Sequence, residues 1–511
     1  MSIFGPEFDQ IWPKAGSALK LTEFGKRLLK QCENIKKPEN VDVDIEAFMK
    51  KSSEFPLEFG SNNCRVMSQP KDRYPIIKKQ ISSAYPVIHE RVLQLYLDFL
   101  EYKCLYGSSK EKQLYANMPL NDFIQRLLTK PCVSFVGYMD AYLLLSGETG
   151  AGDAYSNIGS EKEKEPLTLQ NCLSYDEVKL SAFLSISSYS ELINNGNRRN
   201  RGVIETDYNN IEREAVVVGL IGARFQRPFV MDYQDIVISH QQNTIERGYG
   251  QPKTFTLWNS IKFHLFSKRS LREKRKLWEQ FYEEPTLLYH QVSRDNKRFG
   301  DVFRPGSQEI FDNVAMKKRY SLSFDTLLME AQSRAASENR QAYVHIVGIG
   351  LGTWRIAPQQ TQIFLETFEQ RVKHLLTKLN NIGVLHFAWF DLDGWGELRH
   401  DSIISSKSHA LGGIRIRIEN RNPADKLKGT KFENMLLVIS YAWDGNALPG
   451  NEFWLKHLSG SSDSATASST IITEVHNPFI NTQWVCGDNL HIATSEFGIV
   501  HLGDYVKYTI Q

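Results

Sequence analysis

Residues 343–354 read YVHIVGIGLGTW, and Pro358 follows them at the start of a predicted helix. The first of these residues form an apolar, β-branched run that is typical of a buried strand. Gly348, Gly350 and Gly352 let the backbone adopt conformations that other residues avoid, and they let a ligand approach closely. Backbone N–H groups at such a turn, next to a helix N-terminus, form a cradle for phosphate. A tight turn that needs glycine only for packing is the open alternative.

The glycine spacing matches neither of two common nucleotide motifs. No Gly-Lys-Ser/Thr follows, so the loop is not a Walker A loop, and the glycines run GxGxG rather than GxGxxG. The segment therefore predicts a strand, a glycine loop and a helix. It does not by itself identify the ligand, which must be inferred from the surrounding sequence.

Short β-branched runs recur after about residue 200, separated by helical stretches such as 359–377. These runs are residues 215–225, 235–239, 343–350, 384–390, 414–418 and 435–443. Strands that alternate with helices predict an α/β layer structure. The preceding part is mainly helical in pattern, with a Gly- and Ser-rich linker at 146–166. We expect a mainly helical N-terminal region at 1–200 and an α/β domain at 201–511.

A second polar segment follows an apolar strand at residues 438–454, VISYAWDGNALPGNEFW. Asp444, Asn446, Asn451 and Glu452 lie in its loop. Open α/β sheets place ligand sites at the ends of buried strands, so these side chains are candidates for a site. Asp and Asn are also ordinary turn residues, which explains one or two of them but accounts less well for four polar residues beside three aromatic ones.

Two further segments carry weaker signals. Asp391 comes directly after the apolar run 384–390. We interpret it first as part of a turn, and second as a residue with a supporting role in a site. Asp232 and Gln234 lie between two predicted strands, near Arg224. They would suit recognition of a purine, and a buried ion-pair corner is equally consistent with the pattern.

Composition and simple sequence patterns give no support to several classes of function. Lys and Arg total 61 against 59 Asp and Glu, so the net charge gives no reason to expect nucleic acid or a membrane surface as partner. The six cysteines form no CxxC pair, and no cluster of ligands indicates a metal or other cofactor. The N-terminus lacks the pattern of a secretory signal, so we expect a cytoplasmic protein; a protein delivered into a host cytoplasm would have the same pattern.

The motifs together resemble a known family. Residues 344–375 are similar to the element of macrodomains that holds the diphosphate of ADP-ribose, and residues 414–446 resemble the strand, turn and strand that end in the Asn-rich loop. In ordinary macrodomains the strand–turn–strand unit precedes the diphosphate-binding element, whereas here residues 414–446 follow residues 344–375. The resemblance therefore implies a macrodomain-like mixed sheet, flanked by helices, with permuted element order. The phrases VVGLIGARFQRP, GIGLGTW and AWDGNALPGNEFW look like the MavL-type group of Legionella effectors and their relatives. The resemblance covers roughly residues 200–490.

This resemblance implies an activity and residue roles. The group comprises hydrolases that remove ADP-ribose from arginine, including on ubiquitin. By resemblance, residues 348–354 would hold the diphosphate, with Leu351, Thr353 and Trp354 among them. Asp444 and Glu452 would face the distal ribose, and Asp463 is a third candidate acid.

Asn446 and Asn451 would orient the ribose hydroxyls. Such a scheme requires no metal. Three alternatives remain: a macrodomain that binds ADP-ribose without cleaving it, a nucleotide-using transferase on another α/β fold, and an interaction protein whose N-terminal helices do the work.

Overall fold

A ten-stranded mixed sheet runs through the protein, with helices on both of its faces. The computed structural model describes residues 2–16, 19–39, 42–250, 257–303, 306–429, 431–442, 449–458 and 462–509. The strands are, in chain order, β1 Tyr85–His89, β2 Ser134–Val136, β3 Ala141–Leu143, β4 Thr149–Gly150, β5 Ser185–Glu191, β6 Glu214–Leu220, β7 Val237–Ile238, β8 Phe299–Gly300, β9 Ile310–Asp312, β10 Ala342–Ile346, β11 Ile382–Phe387, β12 Gly394–Trp395, β13 Leu398–Arg399, β14 Ile403–Ser405, β15 Gly413–Ile418, β16 Leu436–Ala442, β17 His491–Thr494 and β18 Gly498–His501.

The α-helices vary from single turns to one long helix. They are α1 Pro6–Asp9, α2 Glu23–Gln31, α3 Ile45–Ser53, α4 Tyr74–Ser82, α5 Glu90–Tyr106, α6 Ser109–Tyr115, α7 Leu120–Thr129, α8 Tyr175–Ser181, α9 Tyr233–Ile236, α10 Leu257–Phe266, α11 Arg269–Tyr282, α12 Asn313–Ser337, α13 Gln360–Leu375, α14 Asn451–Trp454, α15 Ser462–Ala467, α16 Ile472–Val475 and α17 Leu502–Thr509. In the described part of the chain, no helix is both long and apolar enough to cross a membrane.

The large sheet has the strand order β14-β15-β11-β10-β16-β6-β5-β1-β17-β18. The five neighbours β15, β11, β10, β16 and β6 are parallel. β5 runs antiparallel to both β6 and β1. Strands β6 and β16 are almost wholly buried, because helices cover both faces and their sequences are continuously apolar. This confirms the mixed α/β sheet predicted from the sequence.

The longest helix, α12, was not predicted. It is buried along most of its 25 residues, and it packs against α13 and several strands of the sheet. Charged residues interrupt the apolar periodicity from which a buried helix is predicted, so the sequence pattern did not indicate this helix. One of these charges, Asp325, is paired inside the protein: Arg371 of α13 donates to both of its carboxylate oxygens, at 2.7 Å each.

The first 200 residues are richer in strand than their sequence pattern indicates. Apolar residues recur at helical spacing from Ile88 to Leu100, and the helix that this pattern predicts is α5. The helix begins at Glu90, since Tyr85–His89 forms strand β1. Residues 185–191 form β5, which pairs with β6. Strands from both sides of residue 200 therefore share one sheet, and the division of the chain at that residue stays a prediction.

Candidate active site

The sequence segments singled out above meet at one edge of the sheet. Strands β11, β10, β16 and β6 are parallel neighbours, so their carboxyl ends lie side by side. The chain leaves these ends as residues 388–393, 347–354, 443–454 and 221–234, respectively. This edge is where open α/β sheets bind ligands. The strand pairing, which the sequence does not show, brings the four segments together.

The glycine loop after β10 presents backbone rather than side chains. Gly350 has a φ of +71°, a conformation that a residue with a Cβ adopts at a cost. Leu351 donates its N–H to the Gly348 carbonyl at 3.1 Å, so that N–H serves the turn itself. Gly352 and Thr353 are exposed, and their N–H groups have no hydrogen-bond partner within the described residues. These two N–H groups are therefore available to an anion.

The loops after β10 and β6 are in direct backbone contact. A Cβ atom on Gly222 would lie 2.6 Å from the backbone nitrogen of Gly350, closer than real Cβ atoms come. Tyr320 of α12 donates its hydroxyl to the Ile349 carbonyl at 3.3 Å and supports the loop from below. The glycine loop is thus held in shape by the loop after β6 and by the buried helix.

Asp232 and Gln234 hold the loop after β6. Asp232, 1% exposed, accepts the N–H of Arg224 at 2.9 Å and the Nε of Arg319 at 3.1 Å. Arg319 also donates to the Ile221 carbonyl. Gln234 donates to the Phe229 carbonyl at 2.6 Å. This geometry fits the buried ion-pair corner, one of the two interpretations of the segment, and a direct contact of Asp232 or Gln234 with a ligand stays a prediction.

Arg224 connects three parts of the site. Its guanidinium lies 4.6 Å from the ring centroid of Phe135 and 5.3 Å from that of Trp354 in the glycine loop. It donates to the Phe135 carbonyl at 3.1 Å and to Gln226 at 3.0 Å. Cation–π contacts in a buried place are worth about 1–2 kcal/mol each. Arg224 therefore ties the glycine loop to the small sheet β2–β3–β4.

Asn451 and Glu452 form the first turn of α14, in the segment after β16. Asn451 accepts from the Phe135 N–H at 2.9 Å and from the Ser134 hydroxyl at 3.1 Å, and it donates to the Phe135 carbonyl at 3.3 Å. Its amide therefore fixes α14 against β2. The Oε2 atom of Glu452 is buried and has no hydrogen-bond partner among the described residues. A buried carboxylate oxygen without a donor is costly, which marks Glu452 as a candidate functional group.

Several predicted site residues are described only in part or lie elsewhere on the edge. Asp444 and Asn446 lie outside the described residues, and so does the side chain of Asp463, which belongs to α15. Asp391 is exposed, with a φ of +53°, in the turn after β11. Nothing in its surroundings assigns it a role beyond that turn, and its part in a site stays a prediction.

Sequence reasoning missed the small sheet β2–β3–β4, which covers residues 134–150. The Gly- and Ser-rich pattern at 146–166 indicated a linker, and the three strands are only two or three residues long. The contacts of Phe135 with Arg224 and Asn451 join residues far apart in the chain. Only the fold shows that this part of the first 200 residues forms a wall of the site.

The site is made of carboxylate, amide and backbone groups. Within the described residues, no three His, Cys, Asp or Glu side chains are grouped as metal ligands would be. The arrangement offers anion-binding N–H groups after β10 and a buried carboxylate oxygen in the segment after the neighbouring strand β16. Such a pair suits a ligand with phosphates at one place and a reacting sugar at the next.

Comparison with known proteins gives a consistent result. A family model described as "ADP-ribosylhydrolase MavL-like" matches residues 46–508. ADP-ribosylarginine hydrolase CG2909 of Drosophila melanogaster is 48% identical over an alignment of 514 positions, which covers 100% of this chain and 99% of the relative. ADP-ribosylarginine hydrolase CG3568 of the same fly is 49% identical over 501 residues, 98% of this chain and 95% of the relative. The chain belongs to the MavL-like ADP-ribosylhydrolase family.

Proposed function

We propose that this protein removes ADP-ribose from arginine side chains of proteins by hydrolysing the N-glycosidic bond. Two observations support this function: the buried Oε2 of Glu452 has no partner among the described residues, and the glycine loop after the neighbouring strand β10 has exposed N–H groups. Both fly relatives are named ADP-ribosylarginine hydrolases and match this chain along almost its whole length.

The diphosphate of ADP-ribose is placed over residues 348–354. Backbone N–H groups there, at the end of a parallel strand, suit an anion. The loop after β16 comes next along the sheet edge, so the distal ribose lies at Asp444 and Glu452. Asn446 and Asn451 are placed at the ribose hydroxyls. The amide of Asn451 also bonds to β2, so it reaches a ribose only if it exchanges one of those contacts.

The reaction requires carboxylates at the distal ribose. Cleavage of the bond between C1 and the guanidinium nitrogen passes through an oxocarbenium-like state, which a negative charge stabilises. One carboxylate takes a proton from water while the water oxygen bonds to C1. The electron pair of the broken C–N bond leaves with the guanidine, which regains that proton. A second carboxylate pairs with the guanidinium and positions the leaving group.

Asp444 and Glu452 are the proposed pair, and Asp463 is the third candidate acid. The scheme needs no metal or other cofactor.

The fold we propose is a permuted macrodomain, because the unit β10–α13–β11 precedes β15 and β16 in the chain. Ubiquitin, which the resemblance implies as a carrier, is one substrate to test. We place the protein in the cytoplasm, where the free thiols of its described cysteines would stay reduced.

The alternative function is a module that binds ADP-ribose without cleaving it. It would use the same glycine loop, so the loop does not distinguish the two. The carboxylates in the loop after β16 favour the enzyme, because a reader needs only neutral hydrogen-bonding groups at the ribose.

Release of free ADP-ribose tests the proposal. Proteins modified at arginine, at serine and at glutamate are incubated separately with the full chain, and ADP-ribose is quantified by chromatography. We expect release from the arginine-linked protein alone. Binding of ADP-ribose without release from any of the three would establish the reader instead.

A further inference from the structure

The sheet edge gives the bound substrate a direction. ADP-ribose attached to arginine is a linear molecule: adenosine, diphosphate, distal ribose and then the modified side chain. With the diphosphate at the end of β10 and the distal ribose at the end of β16, the next strand in the order is β6. The protein that carries the modified arginine must therefore lie on the β6 side, and adenosine on the β11 side.

A cleft of about 460 Å³ lies on that side. One wall is the turn that joins β2 to β3, with Tyr138 and Met139, and the other is the loop after β6, with Gln226, Arg227 and Pro228. Sites that bind small ligands or side chains typically span a few hundred Å³. The cleft is close to the proposed acids, because Phe135 bonds to Asn451, and the three residues from Phe135 to Tyr138 span at most about 11 Å.

The turn between β2 and β3 holds its two large apolar side chains out to solvent. Tyr138 is 70% exposed and Met139 is 51% exposed. Asp140, next in the chain and 1% exposed, accepts from both Arg227 and the Tyr175 hydroxyl. Desolvation raises the pKa of the Asp140 carboxyl, and these donors oppose that rise. The turn is thus anchored from below by buried polar contacts.

We propose that this cleft docks the polypeptide segment that flanks the modified arginine, with Tyr138 and Met139 as its apolar contacts. The inference rests on the proposed function, because that function places the reacting ribose at β16. Aromatic and Met side chains are enriched at protein interfaces. On a turn that is already held in place, they can bury apolar surface against a partner with little further loss of conformational entropy. Asp153 also lines the cleft, and its carboxylate is paired with Arg227 at 2.9 Å, so the apolar side chains of Tyr138 and Met139 supply the docking contacts.

The test compares two substrates of the full chain. One is a protein modified at arginine, and the other is ADP-ribosylarginine as the free amino acid. The quantity measured is the ratio of kcat/KM for the protein to kcat/KM for the free compound. The double variant Tyr138→Ser/Met139→Ser removes the apolar contacts. The matched control is Tyr508→Ser, because Tyr508 is 55% exposed in α17, on a different element.

We expect the double variant to lower this ratio at least fivefold, and the control to leave it within twofold of the wild type. A ratio unchanged in the double variant, with both substrates still cleaved, would overturn the docking inference and leave the hydrolase intact. If the wild type cleaves neither substrate, the proposed function fails, and the docking inference fails with it.

Discussion

Gly222 and Gly350 lie back to back, so that a Cβ atom on Gly222 would come within 2.6 Å of the Gly350 nitrogen. Neither residue bears a side chain that could take part in chemistry. Their contact sets the distance between the loops after β6 and β10, and therefore the shape of the proposed diphosphate cradle. The two glycines explain why two apolar strands of the sequence both end in glycine-containing loops.

The contact predicts the effect of Gly222→Ala. The added methyl group must push residues 349–350 away, because the atoms it meets are backbone. We expect the affinity for ADP-ribose, measured by calorimetry, to fall at least tenfold, about 1.4 kcal/mol. Gly25→Ala in α2 is the control, since its Cβ would meet only ordinary contacts at 3.5 Å or more. Wild-type affinity in Gly222→Ala would show that the cradle does not depend on this contact.

Asn451→Ala tests whether the small sheet and α14 act together. The substitution removes the bonds to Ser134 and Phe135 and leaves the buried Phe135 N–H without its acceptor. Loss of such a partner costs about 1–3 kcal/mol, so the free energy of unfolding in urea should fall by that amount. Ser134→Ala removes only one of the bonds and should cost less. Equal losses in the two variants would contradict the role given to Asn451.

The pH dependence of stability follows from buried histidines. Burial lowers the pKa of His476 from 6.5 to about 3, and it lowers those of His345 and His386 to about 3 and about 4. The neutral form is favoured in the folded state, so the stabilisation is complete above pH 6.5 and is lost as the pH falls below it. Each histidine contributes a slope of about 1.4 kcal/mol per pH unit between pH 6.5 and its folded pKa.

His476→Gln isolates one of these contributions. Its unfolding free energy, measured in urea from pH 7.5 to pH 4.5, should fall with pH less steeply than that of the wild type. The expected difference in slope is about 1.4 kcal/mol per pH unit below pH 6. Parallel curves for the two proteins would mean that His476 titrates alike in the folded and unfolded states.

The sequence predicted the parallel centre of the sheet well. The runs at 215–225, 343–350, 384–390, 414–418 and 435–443 correspond to β6, β10, β11, β15 and β16. Continuous apolar runs that end in glycine or in polar residues are a strong local signal, because a strand buried on both faces leaves little choice of residue.

The remaining fold depends on contacts that are distant in the chain. Strand β5 carries four serines, and its place in the sheet depends on partners such as Glu330 of α12, which accepts from Ser187 at 2.6 Å. Likewise, no local pattern shows that Phe135 lies against Arg224. The sequence therefore predicted the glycine loop, but it could not predict that the small sheet β2–β3–β4 forms a wall of the site.

If carboxylates after β16 catalyse removal of ADP-ribose from arginine, their loss must slow bond cleavage and spare binding. ADP-ribose release from an arginine-modified protein is followed in single turnover for the wild type, Glu452→Gln and Asp444→Ala, with ADP-ribose binding measured in parallel. We predict that release slows at least a hundredfold in one or both variants while binding changes less than fivefold, since charge at the oxocarbenium-like state is lost and the cradle is kept. Full turnover in both variants would mean that neither carboxylate takes part in catalysis.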